Sequence, residues 1–223
     1  MIDWSTVASL ATAGGTLVLA VATFASIRSA NRSARTADRA ARTAERSLLA
    51  AQRPLLVNSH LQDPKQKIQY PEGVWLTADG GTAAFEVTDQ VVYLALSIRN
   101  VGSGLAVLHG WHLRVGLQTE RSHPPLEEFT TQNLDIFVAP GDIGLWLGAL
   151  RDPAADIFPA VSGAVEAGDT LLLHLLYGDF EGGQRVITQF SLRHLTERWL
   201  SQTTRHFNVD RPDPRLSVQD ERR

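Results

Sequence analysis

Residues 4–27 carry no formal charge, and the pattern then changes abruptly: from residue 28 small apolar positions recur every seven residues. An apolar stretch of roughly 20 residues spans about 30 Å of hydrocarbon as an α-helix, so residues 1–27 are expected to form a transmembrane anchor. Four seven-residue units follow without a break, RSANRSA, RTADRAA, RTAERSL and LAAQRPL, and no Gly or Pro interrupts them before Pro54. Ala30, Ala37, Ala44 and Ala51 share one heptad position. Arg28, Arg35 and Arg42 share a second, and Arg32, Arg39, Arg46 and Arg53 a third, so a small apolar stripe runs opposite a cationic ridge. Ala and Arg are strong helix formers, and Asp38 and Glu45 are placed to pair with Arg42 and Arg46. The spacing predicts that the helix continues through residues 28–53 as a neck. Alanine at the packing positions buries little area, so a coiled-coil neck would need support from the membrane span or from the folded domain.

Beyond Pro54 the period drops to two. In residues 90–100, Val92, Leu94, Leu96 and Ile98 alternate with Val91, Tyr93, Ala95 and Ser97, the pattern of a half-buried strand. Residues 105–117 place Leu113, Val115 and Leu117 on one face, and Asn100-Val101-Gly102-Ser103-Gly104 between the two runs predicts a hairpin or a tight corner. Further strands are expected at residues 55–59, 74–77, 83–87, 143–149, 170–177 and 184–195. Turn clusters around Gly80-Gly81, Pro140-Gly141-Asp142 and Gly182-Gly183 separate several of them. One or two helical turns are expected within 153–165, and a short terminal helix within 195–207, where Leu195, Trp199 and Leu200 would pack. Many short strands with Gly- and Pro-rich turns predict a mainly β, antiparallel sandwich over residues 54–210, followed by a loose charged tail at 211–223.

Charge orients this plan. The neck holds seven Arg against Asp38 and Glu45, a net +5; with the whole chain at −3, everything outside the neck carries −8. A basic neck suits a bilayer with anionic headgroups, whereas an acidic head would repel nucleic acid. Only Met1-Ile2-Asp3 precedes the span, so the excess of Arg after it predicts the N-terminus outside and the domain in the cytoplasm. Trp4 and Phe24 would sit within the anchor, with Arg28 and Arg32 at the headgroups. The leader lacks the basic residues of a cleaved signal peptide. Small residues four apart, Ser5, Ser9 and Ala13, would let two spans approach closely, so a homo-oligomer through span and neck is one expectation and a monomeric stalk another. With no cysteine there is neither disulfide nor thiolate site, and 19 Arg against Lys65 and Lys67 suggests a GC-rich bacterial source.

The strings LSIRNVGSGLAVLHGWHLRV, VAPGD and LLYGDFEGGQRVITQFSL resemble immunoglobulin-like domains of bacterial single-pass membrane proteins that have a helical neck. The matching positions are Asn100, Gly102, Gly104, Ala106, Pro140, Gly141, Asp142, Tyr177, Asp179 and Gly182. The resemblance implies an immunoglobulin-like β-sandwich and attaches no activity to it.

Candidate chemistry is sparse. His109 and His112 lie three apart on a strand and should face opposite ways, so no metal site is expected there. His174, inside the apolar run 171–176, reads as a buried neutral imidazole donating to a backbone carbonyl. Asp179 and Glu181 read as hairpin residues and not as a paired-carboxylate site. Neither a phosphate loop nor a nucleophile elbow occurs, so no cofactor and no catalytic residue are expected. The expectation is a membrane-anchored protein-interaction module, with a ligand-sensing or enzymatic domain, or an outward-facing receptor domain, as alternatives. Recognition loops are sought at Gly102, Ser103 and Gly104, at His123, Glu127 and Glu128, and at Asp179 and Glu181, because loops on a rigid sandwich carry most binding.

Overall fold

The computed structural model describes residues 4–117, 122–134 and 136–210, with the backbone alone for residues 4–12. The expected tail at 211–223 lies outside the described residues. The chain divides into two units, Met1–Ala50 and Ala51–Arg223.

The first unit is built from α1 (Trp4–Ala51), a single helix of 48 residues, about 72 Å long at 1.5 Å per residue. It is long and apolar enough to cross a membrane, and its apolar window is not buried inside the protein. Thr23, Thr36 and Thr43 each donate their hydroxyl to the carbonyl four residues earlier, at 2.8–3.0 Å, which hides polarity within the helix. Arg42 pairs with Asp38 at 3.1 Å as the spacing predicts. Phe24, Arg28, Arg32 and the stripe of Ala30, Ala37 and Ala44 are exposed in the single chain.

The second unit is an antiparallel open β-sandwich. Its strands are β1 (Leu56–Asn58), β2 (Gln66–Gln69), β3 (Trp75–Ala78), β4 (Thr82–Val87), β5 (Val92–Asn100), β6 (Ala106–Val115), β7 (Thr130–Thr131), β8 (Phe137–Val138) and β9 (Ile143–Leu150). After α2 (Ile157–Ala167) come β10 (Leu171–Gly178), β11 (Arg185–Leu195) and β12 (Arg198–Asn208). One sheet runs β1-β5-β4-β12-β11-β10-β6-β7, with β9 on the other edge of β5 and β8 on β6. The β4–β12 link is only two pairs long, Thr82 with Leu200 and Ala83 with Trp199. At that narrow join the sheet turns, and its two halves face one another. Between them lie Leu94, Leu96, Ile98, Trp111, Trp146, Leu173, Leu175 and Phe190, and α2 adds Phe158, Val161 and Ala164 to the same core.

Several expectations change. Residues 195–207 form no helix: β11 and β12 join through Thr196 and Glu197, with Thr196 at φ 60°, and the expected helical residues Trp199 and Leu200 pair across strands instead. Nothing local announced that turn, because a β-branched residue rarely takes a left-handed backbone. β5 is buried on both faces, not one. The hairpin of β2 and β3 covers its outer side, where Tyr70, Leu76, Tyr93, Ala95 and Leu147 form a second small core and the Tyr70 hydroxyl donates to the Leu94 carbonyl at 2.5 Å. β5 and β6 are not paired with each other, so residues 100–104 make a corner. On β6, Leu113 is buried but Val115 is exposed, as is Leu117 beyond it. α2 runs three turns and closes on Gly168 in the left-handed conformation.

Candidate functional site

Asn100 is fully buried at the end of β5, and its side chain is the hub of the corner. Its Oδ1 accepts from the amides of Leu55 (3.1 Å) and Gly102 (3.0 Å), and its Nδ2 donates to the carbonyls of Gly104 (2.7 Å) and Val138 (3.0 Å). All four hydrogen-bonding positions of the amide are used. The two glycines follow from what they touch: a Cβ on Gly104 would overlap the Gln52 carbonyl, and one on Gly102 the Arg53 carbonyl. Ser103 donates its hydroxyl to the carbonyl of Ala51. Gly102, Ser103 and Gly104, sought as a recognition loop, therefore clamp the chain where it enters the head.

The hairpin between β10 and β11 stands at the same end, since Val107 pairs with both Phe137 and Gly178. Asp179 is buried and accepts from the Gly183 amide at 2.7 Å, with Gly182 at φ 74°, so it shapes the turn. Glu181 is exposed at its tip. Large apolar side chains also point outward at this end: Val101 is 51 % exposed, Phe137 56 % and Phe180 73 %. The segment with His123, Glu127 and Glu128 is elsewhere, lying over the outer face of β6, β10, β11 and β12. The His123 ring meets Phe207 at 5.5 Å, and the Glu128 carboxylate lies 3.3 Å from His112 Nε2, while Glu127 is exposed.

Beneath that segment is a row of polar side chains. His112, His174 and Gln189 are direct cross-strand neighbours on β6, β10 and β11, and the two imidazoles are 5.9 Å apart. His174 is fully buried, as expected, but the carbonyl partner expected for it is missing: neither ring nitrogen has a hydrogen-bond partner among the described residues. Burial, reinforced by nearby His112, drives its pKa down from 6.5 to about 3. Burial also lowers His112, against the pull of Glu128, and lowers His109, which occupies the extra position of a β6 bulge beside Gly178. Among the described residues no three of His, Asp and Glu converge as a metal site would require.

Further along the same face of β11, past Ser191, a cleft of about 580 Å³ opens. Leu195, Leu200 and Leu61 supply apolar walls, and Ser191, Arg193 and Gln202 supply polar groups. Residues 59–62 form one wall and are tied down. Ser59 Oγ donates to Ser97 Oγ at 2.7 Å and accepts from the Gly81 amide at 2.8 Å. Asp63, held by Arg99 at 2.7 Å, accepts from the His60 amide at 2.8 Å, and the guanidinium keeps that carboxyl below its ordinary range. No single strand of sequence announces this cleft, because its walls are about 130 residues apart in the chain and meet through the Asn58–Thr203 hydrogen bonds and the β4–β12 join. In comparisons with known proteins, no family, no curated protein and no solved structure matches this chain.

Proposed function

We propose that this protein is a single-pass, membrane-anchored module of the bacterial inner membrane, with its N-terminus outside and a cytoplasmic β head that recruits another protein and performs no chemistry of its own. The anchor rests on α1, whose residues 4–27 are uncharged, and the orientation on the seven Arg that follow. The observation that carries the recruiting role is the set of outward apolar side chains Val101, Phe137 and Phe180, gathered at the end where the chain enters the head. Val101 and Phe180 stand on turns shaped by Asn100 and Asp179, and Phe137 on β8 beside Val138, whose carbonyl Asn100 holds, so a partner would meet a preformed surface. Aromatic side chains of this kind are the usual anchors of protein interfaces. Self-association through the Ala30, Ala37 and Ala44 stripe would add valency without forming a new surface on the head.

Affinity isolation of the full chain from mild detergent tests this reading. The native sequence should recover one stoichiometric partner, and Phe180→Asp, which alters only an exposed hairpin tip, should lose it. Isolation of the chain alone, or equal recovery with Phe180→Asp, would contradict the proposal.

A further inference from the structure

We propose that the cleft between residues 58–62 and the outer face of β11 and β12 binds a small aliphatic carboxylate, its chain against Leu61, Leu195 and Leu200 and its head at Arg193 and Ser191. This site is distinct from the apolar end proposed for protein recruitment and stands independently of it. Its volume, about 580 Å³, falls within the range of small-molecule sites, and its lining surface is mostly apolar although most of the lining residues also carry polar groups. Two of those groups lack partners. Ser191 is 2 % exposed, and its hydroxyl has no hydrogen bond among the described residues. A buried hydroxyl left in that state is destabilising, and a ligand oxygen would relieve it. Arg193, two residues on and on the same face, makes no ion pair or hydrogen bond among the described residues.

Charge selects the class of ligand. Outside the neck the chain is strongly acidic, yet no Asp or Glu lines this cleft, and its charged lining is Arg193 with His60 as the neighbouring titratable group. One planar guanidinium matches one carboxylate in a bidentate pair, whereas a doubly charged phosphate usually draws several cationic groups. The three leucine side chains favour an acid with an aliphatic chain over a purely polar one. Leu61 is 71 % exposed and Leu195 55 % exposed, side chains that an aliphatic chain would cover. The hydrogen bonds of Ser59, Asp63 and Gly81 hold the wall in place before any ligand arrives.

The test is isothermal titration of the full chain in phosphatidylcholine nanodiscs with octanoate, and with octan-1-ol as the uncharged probe, each against protein-free discs. Octanoate should bind saturably at one site per chain. Arg193→Gln should weaken octanoate about tenfold, equivalent to about 1.4 kcal/mol, while leaving octan-1-ol unchanged. Gln202→Trp, which fills the cleft from an exposed position opposite Ser191, should abolish both. Heats equal to those of protein-free discs would overturn the proposal, as would octanoate binding that neither substitution alters. Loss of partner recovery with Phe180→Asp bears on the recruiting surface alone, so the two proposals fail separately.

Discussion

His174 sits in the middle of β10 with both ring nitrogens unpartnered among the described residues, and this has a direct consequence in acid. Its folded pKa, about 3, lies below the ordinary 6.5, so between those values the unfolded chain binds a proton that the folded chain refuses. Stability is full above about pH 6.5 and falls as the pH drops toward 3. His109 and His112, lowered by the same burial, act in the same direction. Chemical denaturation of the full chain between pH 7.5 and 4.5 should show a loss on the order of a few kcal/mol, and His174→Leu should flatten much of it. A flat profile in the native sequence would contradict this assignment. The burial and neutrality of His174 were legible in its apolar neighbours, Leu171 to Leu176. Its neighbours across the sheet were not, because His112 and Gln189 reach it through strand register and the β6 bulge, which no local pattern encodes.

Among the elements, the corner at residues 100–104 unifies one end of the head, since Asn100, at the end of β5, ties together the entry segment, the corner and β8 through four hydrogen bonds. Asn100→Ala leaves buried amides and carbonyls without partners and should destabilise the head by about 3 kcal/mol, read as a lowered denaturation midpoint. A change below about 1 kcal/mol would show that the corner holds without it. The motif Asn-x-Gly-x-Gly was visible in the sequence as a turn, but its occupant was not: the glycines make room for Gln52 and Arg53, more than 45 residues earlier. Most strands were legible for a simpler reason, that alternation is a local property, and Val92 to Ile98 show it plainly. The failures have physical causes. β12 was masked because Leu195, Trp199 and Leu200 fit a helical spacing and the Thr196 turn lacks glycine; the second burial of β5 depends on a hairpin, β2 and β3, whose Gln66, Lys67 and Gln69 read as polar surface.

For the whole molecule, the long apolar helix and the β-rich head were legible in the sequence, and the surfaces of the head were not. The uncharged run and the Arg-rich heptads are one-dimensional signals, and α1 follows them across 48 residues. The cleft at Ser191 and Arg193 and the apolar end at Phe180 exist only once the sheet has turned on itself, so composition could not reveal either. The proposed placement, with the head on the cytoplasmic side and α1 in the bilayer, is open to direct test. Since the chain has no cysteine, a single reporter thiol is unambiguous. Gln90→Cys places one on an exposed loop between β4 and β5. With a membrane-impermeant maleimide, this thiol should stay unlabelled in intact spheroplasts, react after lysis, and remain with the membrane pellet through a carbonate wash; labelling of intact spheroplasts, or release into the wash, would contradict the account.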